Sequence, residues 1–541
     1  MRYQSTLLWL AFSLPLAPQH THAPASEKPA VLLPGVARYH HPITTRSSEA
    51  QAFFDQGLTM IYGFNRFEAV RSFRRAAELD PRAPMPHWGL ALAHAPHVNM
   101  DLDGDVDLAR AHEAIRKARS LSPAGAERDY IEALAQRTSP DPKANPAPLN
   151  LAYKDAMAAL HRRYPDDLDA AVLYAESLMV PHRWQWFTAD GKPNEFTAEA
   201  IAVLEEVMLR HPDHQGANHL HVHAVEMGPD KGRGIPSALR LLQQPPGTGH
   251  LVHMAGHIFL QTGDWDLVAR SNEHAVQMDR GYMHLTGVTT GAYAFGYYPH
   301  NIHFIVVARM AQGRFEDAWR AVQELEAAAK PGIAAMPEMA DYFLPNTVFV
   351  LARFQKWDQI LKLPAPDEKL LVSRAIRHYA RALAQLAQGR RDAAAGEQQA
   401  LEAVRKLVPS GAPFVNNTVE NLLKIPAAIL DARLAPTASA SIDHWKRAVA
   451  AQDALAYDEP APWYYPVRES LGAALFRNGQ AAQAEAVFRE GLRLQPRSGR
   501  LLFGLLESLR AQNKAAAARF VQMEFDRAWK QATVKLRLED L

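Results

Sequence analysis

The stretch that decides the fold is residues 50–81, AQAFFDQGLTMIYGFNRFEAVRSFRRAAELDP. Gly57, Ala69, Phe73, Ala76 and Pro81 fall in the order small, small, aromatic, small, proline. Small residues let the two helices of a hairpin pack closely, and the proline stops the second helix. The order returns near the other end of the chain as Gly472, Gly479, Ala484, Phe488 and Pro496, and a further unit begins around Gly499 and Arg500. Gly263 with Ala275, Gly313 with Ala318 and Gly389 with Ala394 mark more helix pairs between them. No window alternates with period two, and strands do not alternate with helices. Roughly ten pairs of about 34 residues fit, with irregular spacing at 84–215 and 400–460.

This pattern resembles that of tetratricopeptide proteins over most of residues 50–530. The resemblance implies an all-α helix–turn–helix solenoid that buries one continuous core by stacking its units. The stretches ANHLHVHAVE, GHLVHMAGHIF, YYPHNIHF and DEPAPWYYPVRESLGAAL are similar to an exported bacterial branch of that family with histidine-rich units. The expected division is a signal peptide at 1–25, an extended lead-in at 26–48, N-terminal units at 49–215, histidine-rich units at 216–330 and C-terminal units at 331–541.

Composition narrows the chemistry. The chain of 541 residues is 48% apolar and 22% charged, an ordinary globular balance. A net charge of +1 gives no broad basic field for nucleic acid. Cysteine is absent, which excludes disulfides, thiolate metal sites and a cysteine nucleophile. Arg2, the apolar run from Leu7 to Leu16 and Ala23-Pro24-Ala25 read as an export signal, and the run is too short to span a bilayer. The expected location is therefore periplasmic or secreted, with no stable membrane anchor. Histidine is the outlier: twelve of the 24 fall between His211 and His303.

The histidines keep phase with the repeats. A frame begun at Gly249 makes His250, His253 and His257 its second, fifth and ninth residues, and a frame begun at Pro299 puts His300 and His303 second and fifth. In the preceding unit His223 is fifth and His219 lies near the start. The spacings 219/223, 250/253/257 and 300/303 are i+3 or i+4, so each set shares a helix face. By the resemblance, that face lines the concave groove. Three readings compete for these seven residues: structural hydrogen bonding, metal binding, and acid–base catalysis or anion binding without metal. Imidazole suits copper and zinc, and pairs at i, i+4 chelate. A set this large also has room for two ions. By the family motifs His219, His223, Glu226, His250, His253, His257, His300 and His303 correspond to family residues; His221 does not, and Arg66 stands where histidine is expected.

Other candidates surround them. Glu226 completes H-x-x-E with His223 at a slot that normally holds a small residue, as a ligand, an orienting group or an ion-pair partner. Tyr293, Tyr297 and Tyr298 precede His300; Tyr297 and Tyr298, with Glu226, are the candidates for proton handling if the protein is a metal-dependent oxidoreductase. Asn272 and Asn301 read as caps or packing. Asp458, Glu459, Trp463, Arg468 and Glu469, with Arg500, form a second polar constellation that faces the histidines if the superhelix curls round. Asn65, His87, His94, His97 and Asn99 cluster near the first unit. Asp101, Asp103, Asp105 and Asp107 alternate, but Gly104 and His112 stand where an EF-hand needs other spacing. Lys231 and Arg233 form a basic turn without phosphate-loop context. The leading expectation is a groove that binds copper or zinc, with possible enzymatic activity. The alternative is a scaffold that binds a peptide or protein partner without catalysis.

Overall fold

The computed structural model describes residues 28–36, 39–99, 106–188, 190–244 and 247–541. The signal-peptide reading and most of the alternating aspartates lie outside the described residues. The described residues form an all-α array of antiparallel helix pairs, with a two-residue antiparallel β pairing, Pro413–Phe414 with Asn417–Thr418. No helix among the described residues is long and apolar enough to cross a membrane.

The deciding stretch folds as its pattern requires. Ser47 caps the helix Ser48–Tyr62 by accepting from Ala50 N, and Asn65 caps Arg66–Leu79 by accepting from Glu68 N. Phe73 is completely buried between Gly57 and Gly89; a Cβ on either would come within 2.6 Å or 2.5 Å of its ring. Phe488 is clasped in the same way by Gly472 and Gly504. The repeat signature is thus a packing rule: an aromatic ring on the second helix needs glycine on both helices it faces. Truncating such a ring costs about 3–5 kcal/mol.

The apolar interior forms two large clusters instead of the single continuous core expected from stacking. They meet along the helix Tyr298–Ala311, which gives Phe304 and Ala308 to one and Ile302, Ile305, Val306 and Met310 to the other. Polar side chains occupy the interior near this seam, among them Asp279, which accepts from Tyr293 Oη and Asn301 Nδ2 at 2.7 Å each. Up to Ser47 the lead-in has no helix in its described residues, and Ser48 already opens the first helix. It lies against the first hairpin: Leu33 N donates to Gln56 Oε1, and Arg71 donates to the carbonyls of Lys28 and Pro29.

Candidate functional site

The helix Gln215–Glu226 is buried along its whole length. Gly216 lies directly on the Tyr62 ring, where any Cβ would clash, and this contact brings the helix under the first hairpin. His219 Nδ1 consequently donates to the Tyr62 carbonyl. One turn on, His223 Nδ1 donates to Glu226 Oε1 at 2.7 Å. The Tyr62 carbonyl can only accept, which fixes the His219 tautomer and leaves its Nε2 a lone pair; an ionised Glu226 does the same for His223.

The helix Gly249–Thr262 approaches Trp265–Thr286 closely because Gly256 leaves room for Asn272; a Cβ there would sit 2.5 Å from Asn272 Nδ2. Asn272 donates Nδ2 to Val268 O at 2.8 Å, which turns Oδ1 toward His253 Nδ1 at 2.6 Å. His257 Nδ1 donates to Glu226 Oε2 at 2.8 Å and also contacts Glu459. His253 and His257 then face each other Nε2 to Nε2 at 2.7 Å. With Glu226 and Glu459 ionised, both Nδ1 atoms act as donors and two lone pairs oppose one another across that gap. A cation relieves this, and so does a protonated Glu226 or Glu459 that donates to His257 Nδ1 and moves the His257 N–H to Nε2.

Six imidazoles form a contiguous array. Ligand atoms of His219, His223 and His250 lie within 4.8 Å of one another, as do those of His253, His257 and His300, and those of His223, Glu226, His257 and Glu459. Buried Nε2 atoms of His219 and His223 and both ring nitrogens of His250 have no hydrogen-bond partner among the described residues. Orphaned buried nitrogens are costly and need an explanation. Phe64, held in the left-handed region at φ 56°, covers this group; its ring centroid lies 4.3 Å from His219 and 5.6 Å from both His223 and His250. Trp184 closes the His223 side at 5.6 Å.

The distant loop around residue 458 completes the site. The β pairing positions it: Asn417 Nδ2 donates to Asp458 Oδ2 at 2.6 Å, and Asn416 Nδ2 donates to Tyr457 O at 3.0 Å. Tyr457 Oη then donates to Glu226 Oε2 at 3.2 Å. A cavity of about 100 Å³ opens between the parts, lined by His223, His250, His257, His300, Tyr297 and Glu459 among others. Asn99 Nδ2 donates to Tyr297 Oη at 2.8 Å on its wall.

Electrostatics follow from burial. Desolvation pushes His223 and His253 down to about 3 and holds His219, His250, His257 and His300 well below the ordinary imidazole value. Burial pushes Glu226 up to about 8, and raises Glu459 well above the usual carboxylate range with further repulsion from Glu226. The array is therefore a set of neutral imidazoles beside two carboxyl groups that are hard to ionise.

Two expected residues lie elsewhere. His303 joins none of the three groups; it sits in an aromatic box of Tyr342, Phe343 and Tyr464 at 5.3–5.9 Å. Three residues along a helix differ by about 60° in azimuth and 4.5 Å in height, enough to send His300 and His303 to different neighbours. Tyr298 points outward, where its Oη accepts from Arg280 Nε at 3.2 Å. Of the other candidates, Arg66 holds the carbonyls of Leu92, Ala93 and Ala95 at a helix end, Arg233 pairs with Glu205, and Arg468 pairs with Asp453. Sequence reasoning did not find Phe64, Tyr457, Trp184 or the Tyr62 carbonyl. Only Gly63, which precedes Phe64 at a turn, signalled any of them.

A second histidine–carboxylate cluster also brings possible ligand atoms together: His41, Asp167 and Asp169. Here the groups satisfy each other. Asp169 accepts from His41 Nδ1 at 2.7 Å and from Tyr62 Oη, while Asp167 accepts from Tyr130 Oη at 2.8 Å and from Ala170 N at 3.1 Å. His41 and His214 hold Asp169 well below the usual carboxylate range despite its burial.

No family model matches the chain, and no curated protein matches it. Among solved structures, the human IFIT1 dimer with m7Gppp-AAAA is similar at 13% identity and a TM-score of 0.33, covering 90% of this chain and 91% of that one. The human IFIT1 dimer with PPP-AAAA is similar at 12% identity and 0.31, covering 90% and 92%. The crystal structure of Ypp1 is similar at 7% identity and 0.45, covering 91% and 82%.

Proposed function

We propose that this protein is a transition-metal-binding helical solenoid, with a centre built from His219, His223, His250, His253, His257 and His300 that takes copper or zinc. The observation that carries the reading is the set of buried, convergent, partnerless nitrogens in the His219, His223 and His250 group. Metal-ligating histidines donate their other ring nitrogen to a carboxylate or carbonyl, and four of the six do so here to Tyr62, Glu226 or Asn272. Two imidazoles on one ion at about 2.0–2.1 Å, at angles of about 90–110°, hold their nitrogens roughly 2.9–3.4 Å apart, so the pair His253 and His257, now at 2.7 Å, would open slightly around an ion. The cation would also supply the positive charge that Glu226 and Glu459 lack. Two groups of three imidazoles give room for two ions.

The cavity supports an open coordination position beside His257 and His300, with Tyr297 and Glu459 on its wall as proton-handling groups. Such a position favours a redox or Lewis-acid role over a purely structural ion. At about 100 Å³ the cavity has no room for an extended peptide, which counts against the scaffold reading at this site. The export signal adds a periplasmic or secreted setting to the proposal.

The test is elemental analysis of protein purified from its native compartment and then reconstituted with copper or zinc. Stoichiometric metal is expected, reduced by His223→Ala with His253→Ala and retained by His303→Ala. Absence of stoichiometric metal both before and after reconstitution refutes the proposal. Copper-loaded protein should also give a nitrogen-rich Cu(II) resonance that azide alters; a resonance indifferent to azide would remove the enzymatic part.

A further inference from the structure

Several helix pairs share one turn. In each, the amide just before the second helix reaches back five residues: Asn65 N to Met60 O, Asp264 N to Phe259 O, Arg314 N to Arg309 O, Lys356 N to Leu351 O, Arg390 N to Gln385 O, Gln480 N to Leu475 O and Lys514 N to Leu509 O, all at 2.9–3.0 Å. The residue preceding that amide takes left-handed backbone. It is glycine in four of these turns, Gly263, Gly313, Gly389 and Gly479, at φ 70–76°. Gln355 and Asn513 fill it at 56° and 57° with polar side chains, and Asn tolerates this region through local hydrogen bonds. In the first unit the same slot holds Phe64 at 56°. Its Cβ crowds the backbone as glycine would not, and its ring offers no hydrogen bond in return.

The ring goes to the histidine centre. Its centroid is 4.3 Å from His219 and 5.6 Å from His250, and it stacks on His223 at 5.6 Å with 13° between the planes. His250 depends most on such contacts. Neither of its ring nitrogens has a hydrogen-bond partner among the described residues, so its neighbours alone set its plane. Those neighbours are Phe64, Tyr297 at 5.1 Å, His219 at 5.1 Å and His253 at 5.5 Å.

Backbone strain also collects here. Trp184 lies at φ 61° and meets His223 edge-on at 5.6 Å, and Val415 lies at φ 53° on the wall of the adjoining cavity. Phe64, Trp184 and Val415 are three of the seven non-glycine residues with positive φ among the described residues. A bulky or β-branched residue keeps such a conformation only where its surroundings impose it, and these positions gather at functional sites.

We propose that Phe64 is a positioning residue of the histidine centre, an inference that rests on the metal-binding reading above. Its ring holds His219, His223 and His250 in ligand geometry and keeps water from their partnerless nitrogens. The slot that the other repeats give to glycine or a polar residue is filled here by an aromatic plug, against the strain of its own turn.

The test is the rate at which diethyl pyrocarbonate modifies each histidine of the full chain in chelator, mapped by peptide mass. In Phe64→Gly the rates at His219, His223 and His250 should rise at least tenfold, while His303 in its aromatic box keeps its wild-type rate. Asn513→Gly, made at the same slot of another unit, should change none of them. Copper added to Phe64→Gly should bind at least tenfold more weakly than to wild type, and Phe64→Tyr should restore most of that affinity. Unchanged rates at the three histidines overturn the proposal, and so does an equal rise at His303, which means general loosening. Wild-type copper affinity in Phe64→Gly overturns it too. Should Phe64→Gly fail to fold, Phe64→Leu, apolar but without the flat ring, takes its place under the same criteria. Modification is read without metal, so a wild-type chain that binds no copper refutes the metal reading, whereas unchanged modification refutes the role of Phe64.

Discussion

Two buried clusters in this molecule use the same residue types to opposite ends. Around Asp169, a carboxylate collects donors from His41 and Tyr62, and its charge is stabilised. Around Glu226, two carboxyl groups and six imidazoles are packed together, yet nitrogens of His219, His223 and His250 point into the centre without partners. Tyr62 belongs to both, giving its hydroxyl to Asp169 and its carbonyl to His219. Proximity of possible ligand atoms is common to the two. Satisfaction is what separates them: a closed hydrogen-bond network is a structural knot, and an unclosed one is a socket.

Acid should separate them most strongly. The imidazoles of the array are held below their unfolded value of about 6.5, His223 and His253 down to about 3. The unfolded chain therefore binds more protons than the folded one between these values. Their contribution is complete above about pH 6.5 and is lost as pH falls toward 3, by up to about 1.4 kcal/mol per pH unit for each imidazole. Asp169 is also depressed, so its contribution holds until pH drops below about 4. Glu226, pushed up to about 8, runs the other way and loses its contribution as pH rises through 8. Urea midpoints measured in chelator should fall steeply below pH 6.5. A flat profile from pH 7 to 5 would contradict the neutral array.

Substituting the knot should come next. Asp169→Ala leaves His41 and Tyr62 Oη facing a void, at a cost of about 3–5 kcal/mol. The melting temperature should fall equally in metal-free and metal-loaded protein. A loss confined to the loaded form would place Asp169 in the socket after all.

The smallest effects sharpen the boundary. His221 pairs with Ser237 and Glu205 on the far side of its helix, so His221→Ala should cost about 1 kcal/mol and leave metal stoichiometry unchanged. Tyr298→Phe should stay within about 0.5 kcal/mol of wild type. Metal loss in either variant would extend the centre beyond the six histidines.

Much of this was legible in the sequence because a repeat has a phase. Gly57 with Phe73 and Gly472 with Phe488 announced the helix pairs, and the i+3 and i+4 spacings put His219 with His223 and His250 with His253 and His257 on shared faces. Phase fails at His303: a shared helix face does not ensure a shared neighbour, and an aromatic box claims His303 while His300 joins the array. It was silent on Phe64, whose place depends on a left-handed turn, and on Tyr457, which reaches Glu226 across 231 residues. The curvature that makes this meeting possible is a sum of small rotations over many units, and no local pattern encodes a sum. Glu459 was visible only as a member of a polar constellation whose partners Arg468 and Glu469 went to other networks.

That long-range contact changes what kind of object the protein is mechanically. An open solenoid touches only its neighbours, so it stretches and twists like a spring. Here the loop at Tyr457 and Glu459 reaches back to Glu226 and His257, and Asn99 meets Tyr297 across 198 residues. Turns far apart in the chain are pinned here, and again where Thr533 N donates to Gly313 O and Arg497 pairs with Asp264, and the spring becomes a closed clasp. Elastic modes that would open the coil must first part these side chains, so the histidine centre is one of the joints that set the stiffness of the coil.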